Sequence, residues 1–292
     1  MEKKYLLSIL IFIAILTLSF IIYKSQAIKR TYDAEVLQAL TQVGAIKTLI
    51  LSEQDIQHMP TPVQRYLNYV GVVGKEKVRN YRISFEGEMK MDPKKDWVPV
   101  KTEQYNFVDN PTRMFFIKAK MFGLSVIGLD SYKQGKGHML IKLGGLFTVA
   151  DASGPEMDIG EAVTLFNDMC LMAPATLIDQ RIQWESIDLL TAKATFNDNG
   201  CIVSATLYFN PLGELTNFVT DDRYMTLGNT YQRAQWSTPV SNYKDFNGFK
   251  LPTYGEGIWH LPEGDYCYAK FNIRGVVYNS KSLRAAEQDA GA

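Results

Sequence analysis

From Tyr81 onward the chain is written in twos. In YRISFEGEMKM, residues Tyr81, Ile83, Phe85, Gly87, Met89 and Met91 share one side of an extended strand, and Arg82, Ser84, Glu86, Glu88 and Lys90 share the other. A period of two with a single apolar face is the mark of a half-buried antiparallel strand; a parallel strand covered on both faces reads as a continuous apolar run. The pattern recurs along the chain, punctuated by DPKKD at 92–96, Asp109-Asn110-Pro111, Gly135-Lys136-Gly137, Pro211-Leu212-Gly213, Asn247-Gly248 and Glu263-Gly264. The strongest hairpin signal is Asn199-Gly200, set between LTAKATF and CIVSATLYF. Near the end, FNGFKLPTYGEGIW again sends Phe249, Leu251, Thr253, Gly255, Gly257 and Trp259 to one side.

Helical periodicity appears in two places. Before the strands, Asp33 is placed to cap a helix carrying Val36, Leu37, Leu40 and Val43, with Gly44 to end it. Ser52 and Asp55 form a capping-box pattern. Thr61-Pro62 opens a third helix whose stripe is Val63, Tyr66, Leu67 and Val70, and Gly71 closes it. The second place is an insert at 158–180, apolar around most of its circumference and broken at Pro174. Strands before and after this insert read as parts of one sheet. The expected fold is therefore mainly β (α+β): a large, curved antiparallel sheet, an unclosed β-barrel, with helices on its concave side. The expected organisation is an apolar segment at 1–27, an amphipathic helical region at 28–76, the β domain at 77–280 and a flexible tail at 281–292.

Ahead of all this lies YLLSILIFIAILTLSFIIY, Tyr5 to Tyr23, with no charge in it. At 1.5 Å per residue such a helix matches the ~30 Å hydrocarbon core of a bilayer. Lys3 and Lys4 precede it, Lys24, Lys29 and Arg30 follow, and Tyr5 and Tyr23 stand at interfacial positions. Two fates are open: an uncleaved anchor, or a signal peptide cut after Ser25-Gln26-Ala27. The anchor is the expected one, in the cell membrane as a single pass, with the amino end inside and the body extracytoplasmic.

The composition narrows the chemistry. Lys+Arg and Asp+Glu number 31 each, so no charge imbalance suggests a nucleic-acid partner. Cys170, Cys201 and Cys267 form no CxxC and read as small core residues. His58, His138 and His260 show no ligand spacing, so neither metal nor cofactor is expected. No G-x-S-x-G, H-E-x-x-H or phosphate-binding loop is present, and no catalytic residue is assigned. The acidic loop DASGPEMDIGE is best explained by Asp158 capping the insert helix and Glu161 favouring its positive end. Glu156 and Glu161 are the candidates for acid–base work if it is instead functional. Large, soft side chains are abundant, and such residues line adaptable apolar cavities. Phe85, Met89, Phe116, Phe166 and Met169 are the expected pocket lining, with Trp97 and Trp259 at its mouth.

PVQRYLNYVGV, Trp97-Val98-Pro99, GPEMDIGEAVTLFNDMCLMAPATLI and the later Trp184 resemble an uncharacterised bacterial family of membrane-anchored proteins, known only as a domain of unknown function. The resemblance runs from about Pro60 to Tyr278. The ending, with N-G, L-P, a strand, E-G and another strand, also resembles the lipoprotein-carrier fold, which implies an unclosed β-barrel with a helical lid over an apolar cavity. The chain departs from soluble carriers in its N-terminal apolar segment. The expected function is a membrane-tethered, non-enzymatic binding domain for an apolar ligand, a lipid or acyl chain. The expected partners are the bilayer, through the N-terminal helix, and a hydrophobic small molecule. Two alternatives stand beside it: a hydrolase using the acidic loop, and a ligand-free interaction or sensor module with a filled core.

Overall fold

The residues written in twos become the strands of one sheet in the computed structural model, which describes residues 2–43, 49–121, 123–227 and 230–283. The first six strands form an up-and-down meander: β1 (Asn80–Met89), β2 (Val98–Phe107), β3 (Thr112–Met121), β4 (Leu124–Lys133), β5 (Lys136–Leu143) and β6 (Phe147–Ser153). After the helical insert come β7 (Ile182–Ser186), β8 (Thr191–Asp198), β9 (Cys201–Phe209) and β10 (Leu215–Thr220). A small separate ribbon pairs β11 (Tyr224–Leu227) with β12 (Thr230–Arg233). The last strands are β13 (Gln235–Ser237), β14 (Val240–Phe246), β15 (Phe249–Leu261) and β16 (Gly264–Tyr278). Their order is β6-β5-β4-β3-β2-β1-β16-β15-β13-β10-β9-β8-β7, with β14 paired to β15 off that path. Long β16 joins the two halves by pairing antiparallel with both β1 and β15.

The sheet is unclosed, with β6 and β7 as its edges. It curls until its two halves touch. The Tyr132 hydroxyl on β4 donates to the Asp198 carboxylate on β8 at 2.8 Å. A Cβ on Gly135 would stand 3.0 Å from that of Asn199. Asn199-Gly200 makes the expected tight hairpin, with φ of 50° and 82°.

Inside the curl lies α5 (Pro155–Met172), buried around most of its circumference as its wide apolar arc predicts. It starts one turn earlier than expected, behind Gly154, so Asp158 is not its cap. The Asp158 carboxylate instead accepts from the Gly137 N–H and from Lys136 Nζ, each at 2.8 Å, and so pins the helix to β5. Gly137 permits this approach, because a Cβ there would collide with the Met157 carbonyl. Two shorter helices precede the strands: α3 (Glu53–Ile56), with the Ser52–Asp55 capping box, and α4 (Thr61–Val70). The α4 stripe Val63, Tyr66, Leu67 and Val70 is buried, and Gly71 ends the helix at φ 85°. α4 packs on the inner side with α5, where the Tyr66 hydroxyl donates to the Cys170 carbonyl at 2.7 Å.

The helix α2 (Ala27–Gln42) lies on the other face of the sheet. There Ile28, Tyr32, Val36 and Leu40 pack against Tyr105, Phe107, Met114 and Phe116 of β2 and β3. α2 begins six residues before Asp33, which therefore caps nothing and pairs with Lys29 at 2.6 Å. The expected stop at Gly44 and most of the expected tail lie outside the described residues. Immediately before α2, and separated from it only at Gln26, α1 (Glu2–Ser25) holds the apolar run. Its Lys4–Ser25 portion is long and apolar enough to cross a membrane, and none of it is buried against the body.

Candidate functional site: a cavity between the sheet and its inner helix

Strand parity decides what faces α5. On β3, Phe115, Ile117, Ala119 and Met121 point inward, while Met114 and Phe116 point outward to α2. The inward residues of β1–β5 and of β15–β16 do not all reach the helix. They leave a cavity of about 850 Å³, within the size range of small-molecule sites. Its walls are chiefly apolar: Phe85, Met89, Ile117, Val126 and Ile141 on one side, and Trp236, Trp259, Tyr268 and Phe271 on the other. Met157, Gly160, Thr164 and Leu171 of α5 roof it.

One end of the cavity is ionic. Arg113, on β3, is buried and sits among three carboxylates. Its Nε donates to Asp168 Oδ2 at 2.8 Å, and its Nη1 donates to Glu161 Oε2 at 2.9 Å and to Asp130 Oδ2 at 3.1 Å. Asp168 also accepts from Gln104 Nε2 at 2.5 Å, and Asn106 Nδ2 donates to the Tyr81 hydroxyl at 2.6 Å. One buried guanidinium cannot neutralise three carboxylates, so a proton is retained. Burial pushes the Glu161 carboxyl up to about 8, and the adjacent Asp130 adds to the rise against the pull of Arg113 and Arg223. Carrying that proton, Glu161 is a donor for Asp130, whose buried Oδ1 otherwise has none among the described residues. Burial also raises Asp168, against the pull of Arg113 and the two amides.

A second polar feature is unspent. The Arg223 guanidinium lies 4.0 Å from the centroid of the Trp236 ring and 5.7 Å from that of Trp259. Arg223 Nη1 and Trp236 Nε1 are buried donors with no acceptor among the described residues, and both residues line the cavity.

The cavity opens at one end of the sheet. The turns after β1, β3, β5 and β15 all lie at that end, because successive strands are antiparallel neighbours. Met91, Pro93 and Glu263 from these turns, and Met121 beside them, belong to the lining. The ionic cluster lies deeper, toward the opposite end.

Of the residues expected at the site, Phe85, Met89, Trp259, Glu156 and Glu161 line the cavity. Trp259 is a buried wall residue. Trp97 sits at the open end, its ring 4.5 Å from Lys270 Nζ and 5.0 Å from Lys90 Nζ, but outside the lining. Phe116 is on the far face, packed against Tyr32 of α2 with ring centroids 5.4 Å apart. Phe166 and Met169 occupy the side of α5 turned from the cavity; Phe166 is packed on Phe196 and Phe218. Glu161 is not a helix-end carboxylate but the buried partner of Arg113. Arg113, Asp130, Asp168 and Arg223 went unseen in the sequence because they lie in four separate segments. The one available signal was a charge at inward positions of strands, Arg113 and Asp130 sharing a face with Phe115. Among the described residues no cluster of His, Cys, Asp and Glu could hold a metal ion.

The sequence model of DUF6544, a family of unknown function, matches residues 49–271. No curated protein matches the chain. Among solved structures, a domain described as an outer membrane lipoprotein-sorting protein from Vibrio parahaemolyticus is similar with a TM-score of 0.38 and 10% identity, over 82% of this chain and 96% of that one. A LolA superfamily protein from Nitrosomonas europaea is similar with a TM-score of 0.38 and 9% identity, over 75% of this chain and 94% of that one.

Proposed function

The chain belongs to this family of unknown function, and we propose that it is a membrane-tethered, extracytoplasmic binding domain for a lipid or acyl chain, with no catalytic role. The observation that carries the reading is the cavity itself: about 850 Å³, walled by Phe, Met, Ile, Val and Trp side chains. Each methylene moved from water to such walls gains ~0.8 kcal/mol, so a chain of ordinary acyl length binds through contact alone. The unspent donors of Arg223 and Trp236 suit an acceptor on the same ligand, a carboxylate, carbonyl or phosphate. A filled core, the premise of a ligand-free module, is not what α5 and the sheet make. Glu161, one of the two hydrolase candidates, is already held by Arg113, which leaves it poorly placed for a substrate.

The test is native mass spectrometry of the full chain released from its membrane. A lipid- or acyl-sized adduct should survive removal of detergent and disappear in Ile117→Trp, which fills the cavity from β3. A bare chain in both proteins would overturn the reading.

A further inference from the structure

The open end of the cavity and the apolar helix are on the same side of the molecule. Gly145, in the turn between β5 and β6, is packed so closely on the backbone of Ser25 that a Cβ would collide with it. That contact fixes the last turn of α1 at the end where the cavity opens. α2 then runs from there toward the opposite end. Lys29 Nζ reaches Glu103 in the middle of β2 at 3.5 Å, and Glu35 reaches Lys133 at the far end of β4 at 2.8 Å. With α1 following almost directly on α2 in reverse, it projects beyond the open end, away from the body.

The same end carries apolar side chains that no part of the described body covers. Phe147 is 71% exposed, Val149 60% and Leu124 52%. Leu146 and Met91 are exposed beside them. In water this patch is a liability, on an edge strand above all. Lys94, Lys95 and Lys120 are exposed around it, with Lys142 half-buried. Apolar tips flanked by charged side chains suit the boundary between acyl chains and headgroups; Asp92 and Asp96 offset Lys94 and Lys95 in the β1–β2 turn, so the apolar patch carries the docking.

The geometry points to a bilayer-docked mouth: the β3–β4 and β5–β6 turns dip into the same leaflet that α1 enters, so a lipid passes between membrane and cavity without crossing water. This rests on the anchored, lipid-binding reading above. It adds a docking surface, made by Leu124, Leu146, Phe147 and Val149, none of which lines the cavity.

The experiment uses the full chain in vesicles of phosphatidylcholine and phosphatidylglycerol carrying a trace of phosphatidylcholine with a diazirine in its acyl chain. After illumination, peptides are mapped for adducts. Docking predicts adducts on Leu124 and on the Leu146–Val149 stretch, in addition to α1. In the double variant Leu124→Ser, Phe147→Ser these should fall several-fold while α1 is labelled as before. Adducts confined to α1 and to cavity-lining side chains would overturn the inference. Its fate is separable from that of the binding reading. Rim adducts on a chain that retains no lipid in native mass spectra sustain docking and sink binding; retained lipid without rim adducts does the reverse.

Discussion

Glu161 is the residue whose environment departs furthest from what its chemistry prefers. Its carboxyl titrates at about 8 where an unperturbed one titrates at 4.5, because burial and Asp130 both penalise the charge. The folded chain thus holds this proton more tightly than the unfolded chain. The stabilisation is complete below about pH 4.5 and is lost as the pH rises through about 8. Between pH 6 and pH 9 the thermal midpoint should therefore fall more steeply in the native chain than in Glu161→Gln. Roughly 5–10 °C of extra fall is expected, since each pH unit up to about 8 removes on the order of 1 kcal/mol in a domain this large. Parallel profiles would show that the proton resides elsewhere. Arg113→Met tests the same cluster from the other side. Removing the cation that contacts all three carboxylates should cost about 3–5 kcal/mol in a denaturant titration, because the remaining charges are left buried. Replacing Arg223 by Met leaves the Arg113 ion pairs in place and removes only a weaker pull on Glu161. It is expected to weaken binding of an acyl carboxylate by about tenfold, one charge-assisted hydrogen bond, with little change in thermal midpoint.

At the scale of elements, the position of α5 depends on an absent side chain. Gly137 lets the Met157 carbonyl sit against β5, and Asp158 then caps an N–H of the strand rather than of the helix. Gly137→Val should destabilise by about 1–3 kcal/mol and reduce lipid retention, since the helix must lift from β5. Loss of stability with retention unchanged would mean that the roof does not shape the cavity. This contact lies beyond what local sequence pattern encodes. Periodicity of two exposed β1, the hairpin at Asn199-Gly200 and the alternation in β15, because each depends only on near neighbours. The wide apolar arc of α5 was equally plain. The role of Asp158 was not, since a helix cap and a strand partner have the same local composition. Phe116 shows the matching failure in a strand: alternation separates two faces but does not label which one meets α2 and which meets the cavity. Arg113, Asp130, Glu161 and Asp168 converge only once β3, β4 and α5 are assembled.

For the molecule as a whole, what matters is that a fourteen-stranded sheet wraps α5 without closing its main-chain ladder between β6 and β7. Circumference exceeds what a single α-helix fills, and the excess is the cavity. Filling it should be tolerated: Ile117→Trp is expected to leave the thermal midpoint of the ligand-free chain within roughly 3 °C, about 1 kcal/mol, because the added ring enters space already present. Where cargo is bound, the native chain should be the more stable of the two, as a ligand that binds only the folded state demands.

The seam between β6 and β7 has a mechanical corollary. Across it the halves are joined by the Tyr132–Asp198 bond, by Arg181 donating to the Val108 carbonyl, and by the helix they share, with no main-chain ladder among the described residues. Such a body behaves as a clasp more than as a pipe: its girth can widen for a bulkier guest and tighten behind a slimmer one while every strand keeps its partner.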